Sequence, residues 1–226
     1  MLIWIITGGV FLLSVIVQNS LQSKFTKYSK VPLGVPMTGR DVAQMMLQQN
    51  GVNDVQVTSV SGQLTDHFNP QNKTVNLSEP VYGTNSVAAA AVAAHECGHA
   101  VQHKVGYSML KLRSSLVPVV SFASKWVQWV LLAGVVLVQL TPIPLYFALA
   151  LFGMTVLFSF VTLPVEVDAS RRAIQWLQTA GITQGETTKY AKDALHAAAY
   201  TYVVAAIGSL ATLLYYVLMI FGGSRR

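Results

Sequence analysis

The chain has 226 residues, of which 53% are apolar and only 11% are charged. A soluble domain carries roughly 25% charged residues, so this composition argues against a soluble domain and predicts an integral membrane protein of one or two domains. The net charge of +6 comes from 15 basic residues that are neither gathered into a block nor interleaved with aromatic residues, which favours topology-setting charge in loops over nucleic-acid binding.

An uncharged apolar run, residues 1–17, opens the chain. A secretory signal carries a basic residue before such a run and a small-x-small cleavage site after it, and neither is present here. The lysines follow the run instead, at Lys24, Lys27 and Lys30. This order predicts a spanning helix with its N-terminus outside and its C-terminus in the cytoplasm.

The polar region that follows, residues 18–115, begins with a linker and a short helix. Residues 31–37 hold two prolines and a glycine, which are typical of a linker. Thr38 and Asp41 have the spacing of a capping box, which predicts a helix that starts there. Gly51 then ends this helix.

Short β-like stretches come next in the same region. Ser61-Gly62 and residues 69–72 are turn signals between them, so we predict a small antiparallel β-meander. Ser86 is one of three candidate N-caps for the next helix, which we expect to end near Lys104. The three β-like stretches are residues 55–60, 63–68 and 73–78.

The second half of the chain alternates apolar and polar segments. Residues 107–125 mix apolar and basic residues and predict a helix at the membrane surface that leads inward, towards an aromatic belt at Trp126 and Trp129. Residues 140–144 predict a tight turn, and a polar helix is expected at 165–179. The three stretches predicted to span the membrane are residues 126–141, 145–163 (bounded by Pro144 and Pro164) and 197–221.

Four predicted spans place both polar regions on one side of the membrane. Both regions carry the excess of Lys and Arg, so we expect that side to be cytoplasmic. Arg225 and Arg226 then lie outside, a conflict that disappears if the last segment does not fully cross. The expected organisation is an N-terminal span (1–17), a polar region (18–115), a helical hairpin in the membrane (116–164), a polar helix (165–196) and a last span with its tail (197–226).

The stretch HECGHAVQH, residues 95–103, carries the most specific chemistry in the chain. On a helix, His95 and His99 lie one turn apart on one face, where both imidazoles can reach a zinc ion. Glu96 lies about 100° round the helix, close enough to touch a water on the metal without binding the metal itself. This is the H-E-x-x-H pattern, in which zinc lowers the pKa of a bound water and the glutamate passes its proton to the leaving amine.

A buried helix with incidental polar residues is the alternative interpretation of this stretch. It would bury two histidines and a glutamate in an Ala-rich segment without partners, at a large desolvation cost. The metal interpretation also accounts for Gly98, which has no side chain and lets another element pack closely beside the metal.

A catalytic zinc ion needs a third protein ligand and an open position. The metzincin pattern would place glycine at position 102 and histidine at position 105, where the chain has Gln102 and Val105. We therefore expect the third ligand downstream, on another helix. Glu166 is the strongest candidate, because it lies where a span emerges and an acidic residue is costly there without a partner.

Ala169 and Ala173 share the helix face of Glu166, so this helix can approach another closely. The alternative for Glu166 is an interfacial carboxylate near Arg171 or Arg172. Asp168 is the rival ligand, or it pairs with Arg172 four residues later.

Other side chains are weaker candidates for the site. His103 continues the face of His99 but lies too far from His95 to share one ion, so we expect a supporting or helix-end role. Cys97, the single cysteine of the chain, is expected to be a packed thiol and cannot form an intrachain disulfide. His67 either lines the cleft or is a plain strand residue. The candidates for stabilising the oxyanion, with core packing as the alternative, are His196, Tyr200 and Tyr202.

Four stretches of the chain resemble the YugP-type membrane zinc metallopeptidases, and the resemblance extends over nearly the whole length. These stretches are LTDHFNP (64–70), AAHECGHAVQH (93–103), KLRSSLVPV (111–119) and LPVEVDASRRA (163–173). That family is similar to the wider group of integral-membrane gluzincins that includes the HtpX peptidases.

The resemblance implies a role for each matching residue. His95 and His99 match the first two zinc ligands, Glu96 the general base and Glu166 the third ligand. The pattern after the third ligand departs in one place, because Ser170 stands where an acidic residue usually orients a zinc-bound histidine.

The sequence therefore predicts a mainly α integral membrane protein with about four transmembrane helices and a zincin-like catalytic region on the cytoplasmic side that holds the small antiparallel β-meander. We expect a membrane-embedded zinc endopeptidase of a prokaryotic plasma membrane, with one Zn²⁺ ion, a peptide or protein substrate held along an edge strand, and no nucleic-acid partner. The alternative is a metal-binding scaffold, chaperone or metal carrier without peptidase activity. Glu96 argues against it, because binding zinc does not need that residue.

Overall fold

The computed structural model describes residues 2–137 and 139–222. Val138, Arg225 and Arg226, which belong to a predicted span and to the predicted tail, lie outside these ranges. In chain order the described elements are α1 (Leu2–Tyr28), α2 (Gly39–Gln49), β1 (Gln56–Val60), β2 (His67–Asn69), β3 (Thr74–Ser78), α3 (Glu79–Tyr82), α4 (Val87–Lys104), α5 (Ser108–Leu137), α6 (Ile143–Thr179) and α7 (Glu186–Gly222).

Four of the described helices are long and apolar enough to cross a membrane, namely α1, α5, α6 and α7. The predicted number of spans is thus confirmed. The predicted span at 145–163 and the predicted polar helix at 165–179 form one helix, because α6, with 37 residues, runs unbroken through Pro164. α5 likewise joins the predicted surface helix to the second span in one helix of 30 residues, with Pro118 inside it. Proline removes only one backbone donor, and a membrane helix tolerates it where neighbouring groups satisfy the freed carbonyl.

The chain divides into two compact units. The polar unit consists of Val17–Leu110 and Val165–Tyr200. The apolar unit consists of the described residues of Met1–Ile16, Lys111–Pro164 and Thr201–Arg226. All the residues of the H-E-x-x-H stretch, as well as Glu166, belong to the polar unit.

A mixed three-stranded sheet replaces the predicted antiparallel meander, which is wrong. The strand order is β1-β3-β2, with β1 parallel to β3 and β2 antiparallel to it. The first part of the predicted strand at 63–68 fails because the chain bends at residues 61–64, where Leu64 has a φ of +58°. The second strand is therefore the short segment His67–Asn69, which pairs with β3 on the side opposite to β1.

Asp66 anchors the turn that precedes β2. Its carboxylate accepts hydrogen bonds from the backbone N–H and the hydroxyl of Ser78, at the end of β3. Burial raises the pKa of Asp66 in spite of these two donors. A single side chain thus holds the turn against β3 and prevents it from pairing as a strand.

α4 is the central helix of the polar unit, and its predicted ends are confirmed. Ser86 caps the N-terminus by accepting a hydrogen bond from the N–H of Ala89, and Gly106 follows the C-terminus with a φ of +68°. Alanine is the strongest helix former, and its short side chain lets other elements pack close to the helix axis. The alanines of α4 are accordingly buried, and all of them except Ala88 share one core with residues of α2, β3 and the C-terminal part of α6.

Candidate metal centre

α4 presents two imidazole rings on one face. The ring centroids of His95 and His99 lie 4.8 Å apart, and the ring planes are nearly perpendicular at 84°. His99 is buried and His95 is half-buried. The spacing of four residues on a helix thus gives the side-by-side arrangement that the sequence predicts.

Glu166 reaches both rings from α6. Its Oε2 atom lies 3.2 Å from the Nε2 atom of His95 and 3.6 Å from the Nε2 atom of His99. The ligand atoms of the three side chains all lie within 4.8 Å of one another, and Glu166 is only 3% exposed. Ligand atoms that surround a tetrahedral zinc ion at about 2.0–2.1 Å lie about 3.3 Å apart, so the donor set and the two distances from Glu166 fit this ion.

A close approach of α4 and α6 brings Glu166 to the histidines. A Cβ atom added to Gly98 would lie 2.7 Å from the carbonyl oxygen of Ala169, which is closer than real Cβ contacts. Ala169 and Ala173 are both fully buried. The predicted close packing of small residues beside the histidines is therefore confirmed.

Gln102 holds the far side of the His99 ring, a role that the sequence did not suggest. Its Oε1 atom lies 3.0 Å from the Nδ1 atom of His99. Its Nε2 atom donates to the carbonyl of Val165 at 2.9 Å and to Oδ2 of Asp168 at 3.0 Å. Gln102 is 0% exposed. The available signal was its place three residues after His99, where side chains on a helix are neighbours.

Ser170 lies beside the other histidine. Its hydroxyl is 3.1 Å from the Nδ1 atom of His95. The residue that departs from the gluzincin pattern therefore still contacts the ring nitrogen of a histidine, as a neutral hydroxyl in place of a carboxylate.

The carboxylates of Glu166 and Glu96 both lie near His99 and favour a positive charge there. Burial alone lowers the pKa of His99, but the contact with Glu166 and the nearby charge of Glu96 raise it above its ordinary value overall. Glu96 is 9% exposed, and within residues 2–137 and 139–222 no hydrogen bond to its carboxylate is formed. Glu96 is thus a nearly buried carboxylate that is available to a substrate or a water.

The carboxylate of Asp168 is bound by residues other than the two histidines. Its carboxylate accepts hydrogen bonds from Arg171, Arg172 and Gln102. The pairing with Arg172 is the alternative that the sequence offered for Asp168. Among the described residues, Gln102 is thus the one that links Asp168 to the metal centre.

The remaining histidines of the predicted site lie away from the three converging side chains. His67 lies in β2, where its ring contacts the Thr65 carbonyl and the Asn76 amide. His103 is exposed near the end of α4, with its ring centroid 5.8 Å from that of Phe68. Neither belongs to the His-His-Glu group found among the described residues.

The candidates for the oxyanion lie along α7. His196 is exposed, and Tyr200 is 59% exposed in the polar unit. Tyr202 belongs to the apolar unit.

Cys97 is 0% exposed and its thiol donates to the Ala43 carbonyl, while burial raises the pKa of the thiol well above its usual range.

The fold and the site define a helical membrane protein with a His-His-Glu group suited to a metal. The family model described as "Putative neutral zinc metallopeptidase" matches residues 3–221, and the chain belongs to this family. The chain is 42% identical over 223 residues to the "Putative membrane protease YugP" of Bacillus subtilis (strain 168), a match that covers 99% of this chain and 98% of that protein. No solved structure matches the chain.

Proposed function

We propose that the protein is a membrane-embedded zinc-dependent endopeptidase of the gluzincin type. His95, His99 and Glu166 would hold one zinc ion, and Glu96 would act as general base. The observation that carries the proposal is the convergence of two imidazole nitrogens and one carboxylate oxygen beside a second carboxylate that accepts no hydrogen bond from a described residue. Two histidines and a glutamate are a ligand set of catalytic zinc sites.

A bound zinc ion supplies Lewis acidity, which polarises a peptide carbonyl and makes water more acidic. Glu96 accepts the proton of the attacking water while the water oxygen bonds to the carbonyl carbon. Glu96 then returns this proton to the amide nitrogen, so that the C–N bond breaks and the amine leaves neutral. The nearly buried carboxylate of Glu96 suits this exchange, because no donor among residues 2–137 and 139–222 holds its oxygens.

We extend the proposal to the substrate and to the orientation in the membrane. β1 and β2 are the two edges of the sheet, and β2 packs against α4, so β2 is the edge at which a peptide or protein substrate would add as a strand. The excess of Lys and Arg in the polar regions favours a catalytic side that faces the cytoplasm.

The experiment that tests this function separates zinc binding from turnover. Glu96→Gln removes the base but keeps the three ligands, so the purified variant should retain zinc and lose hydrolysis of an unfolded membrane protein by about 10²–10⁴-fold. Glu79→Gln, which changes an exposed glutamate of α3, is the matched control and should behave as the wild type.

Turnover of Glu96→Gln close to that of the wild type would remove the proposed mechanism. A wild-type protein that binds zinc and leaves every peptide substrate intact would favour the non-proteolytic alternative.

A further inference from the structure

The orientation of the Gln102 amide is fixed by its neighbours. Its Nε2 atom faces the carbonyl of Val165 and the carboxylate of Asp168. The backbone carbonyl of Val165 can only accept a hydrogen bond, and the carboxylate of Asp168 already accepts hydrogen bonds from Arg171 and Arg172. The amide NH₂ group must therefore lie on this side, which leaves the amide oxygen on the side of His99.

This orientation selects one form of the His99 ring. Because Gln102 Oε1 can only accept, the Nδ1 atom of His99 at 3.0 Å must carry the hydrogen. A neutral imidazole with its hydrogen on Nδ1 has its lone pair on Nε2. Nε2 is the atom that faces Glu166 at 3.6 Å, and it is the atom that would bind the proposed zinc ion.

The Nδ1 atoms of the two histidines have different hydrogen-bond partners. The hydroxyl of Ser170 can donate to or accept from the Nδ1 atom of His95, so it does not select a form of that ring. The carboxylate of Asp168 reaches His99 only through a neutral amide. The ring of His99 is thus oriented firmly without a negative charge against its Nδ1 atom.

We propose that Gln102 is a positioning residue that holds His99 with its Nε2 lone pair towards the metal, and that Asp168 orients Gln102 for this purpose. The inference rests on the proposed zinc site and adds a role for two residues that do not bind the ion. It concerns zinc affinity, so it does not depend on which peptide the protein cleaves.

The test is a competition between the purified full-length protein in detergent and a chromophoric zinc chelator. Gln102→Met keeps the volume of the side chain and removes its hydrogen bonds, and it should weaken zinc binding by about 10–100-fold, the usual effect of losing a group that orients a ligand. Ser170→Ala is the matched control at the other histidine and should weaken zinc binding less.

Exchanging the amide at position 102 with the carboxylate at position 168 separates a positioning role of Gln102 from a packing role. Gln102→Glu alone should also weaken zinc binding, because it places a second carboxylate against Asp168. Combining Gln102→Glu with Asp168→Asn restores an acceptor for His99 and a donor for that acceptor, but it leaves the Val165 carbonyl without its donor. The double variant should therefore bind zinc more tightly than Gln102→Glu and less tightly than the wild type. Thermal unfolding of the zinc-free proteins shows whether each variant is folded.

Wild-type zinc affinity in a folded Gln102→Met protein would overturn the proposal. If that variant does not fold, the double variant decides, and its failure to bind zinc more tightly than Gln102→Glu would overturn the proposal as well. A wild type that binds zinc but cleaves no peptide would refute the peptidase function and leave this inference standing.

Discussion

The two glutamates of the metal centre have opposite surroundings. Glu166 contacts the Nε2 atoms of both histidines. Glu96, on α4 itself, accepts no hydrogen bond from any residue of the described ranges. A carboxylate enclosed by two imidazoles suits a ligand, and a carboxylate without a donor suits a proton acceptor. The division of roles between the two residues thus follows from their contacts.

A prediction at the residue scale concerns the single thiol. Cys97 lies two residues from His95, but it is fully buried and burial raises its pKa. The thiolate is the reactive form, so Cys97 should react very slowly with a thiol reagent at pH 8 in the native protein and promptly after denaturation. The control is Ser23→Cys, which adds an exposed thiol. Rapid modification of native wild-type protein would contradict the packing of α4.

Single residues also show what the sequence can predict of the site. The spacing of His95 and His99 and the place of Glu166 after a span were enough to predict three side chains that the structure brings together. Gln102 was missed because its partners, Val165 and Asp168, lie more than sixty positions away in the chain. Periodicity describes which face a residue occupies, but it does not identify distant hydrogen-bond partners.

Among the elements, the packing of α4 against α6 is what brings the ligands together. The crossing depends on Gly98, whose missing side chain admits the backbone of Ala169. Helix ends and small-residue positions were predicted correctly here because caps and small side chains are local signals. The sheet order and the passage of α6 through Pro164 were not predicted correctly. The first depends on the contact of Asp66 with Ser78, and the second depends on the residues around the proline, and both are tertiary interactions that local signals do not describe.

A prediction at the element scale follows from this crossing. Gly98→Ala places a methyl group 2.7 Å from the Ala169 carbonyl, so α4 and α6 must separate. We expect a loss of about 1–3 kcal/mol in the free energy of unfolding, together with weaker zinc binding, since Glu166 moves with α6. The measurements are denaturant unfolding of the zinc-free protein and zinc competition.

The matched control for this variant is Gly83→Ala. An added Cβ at Gly83 would meet its nearest atom at 3.8 Å, an ordinary contact. Equal stability and zinc affinity in the two variants would show that the close crossing does not position the site.

On the scale of the whole molecule, contacts between distant segments constrain the topology. Lys24 at the end of α1 forms an ion pair with Asp193 near the start of α7 at 2.7 Å, and the hydroxyl of Tyr28 donates to the same carboxylate. We therefore expect the two segments of the polar unit to lie on one side of the membrane. The count of four spans agrees with this arrangement.

The prediction at this scale concerns labelling with a membrane-impermeant thiol reagent. Cysteines introduced at Ser23 and Thr187 should label from the same face of the membrane, and a cysteine at Thr141 should label from the other. The basic residues of the polar regions predict that the shared face is cytoplasmic. Labelling of Ser23 and Thr187 from opposite faces would break the four-span arrangement and would separate Glu166 from α4.

The zinc content of purified Glu166→Ala tests the central claim most directly. Two histidines alone do not make a catalytic zinc site, so loss of the third ligand should weaken zinc binding by more than about 100-fold, beyond the usual effect of losing an orienting group. The wild type should then carry one zinc ion per chain and Glu166→Ala almost none, while the control Glu186→Ala, at an exposed position of α7, keeps its zinc. Full zinc occupancy in Glu166→Ala would contradict both the ligand set and the assignment to the gluzincins.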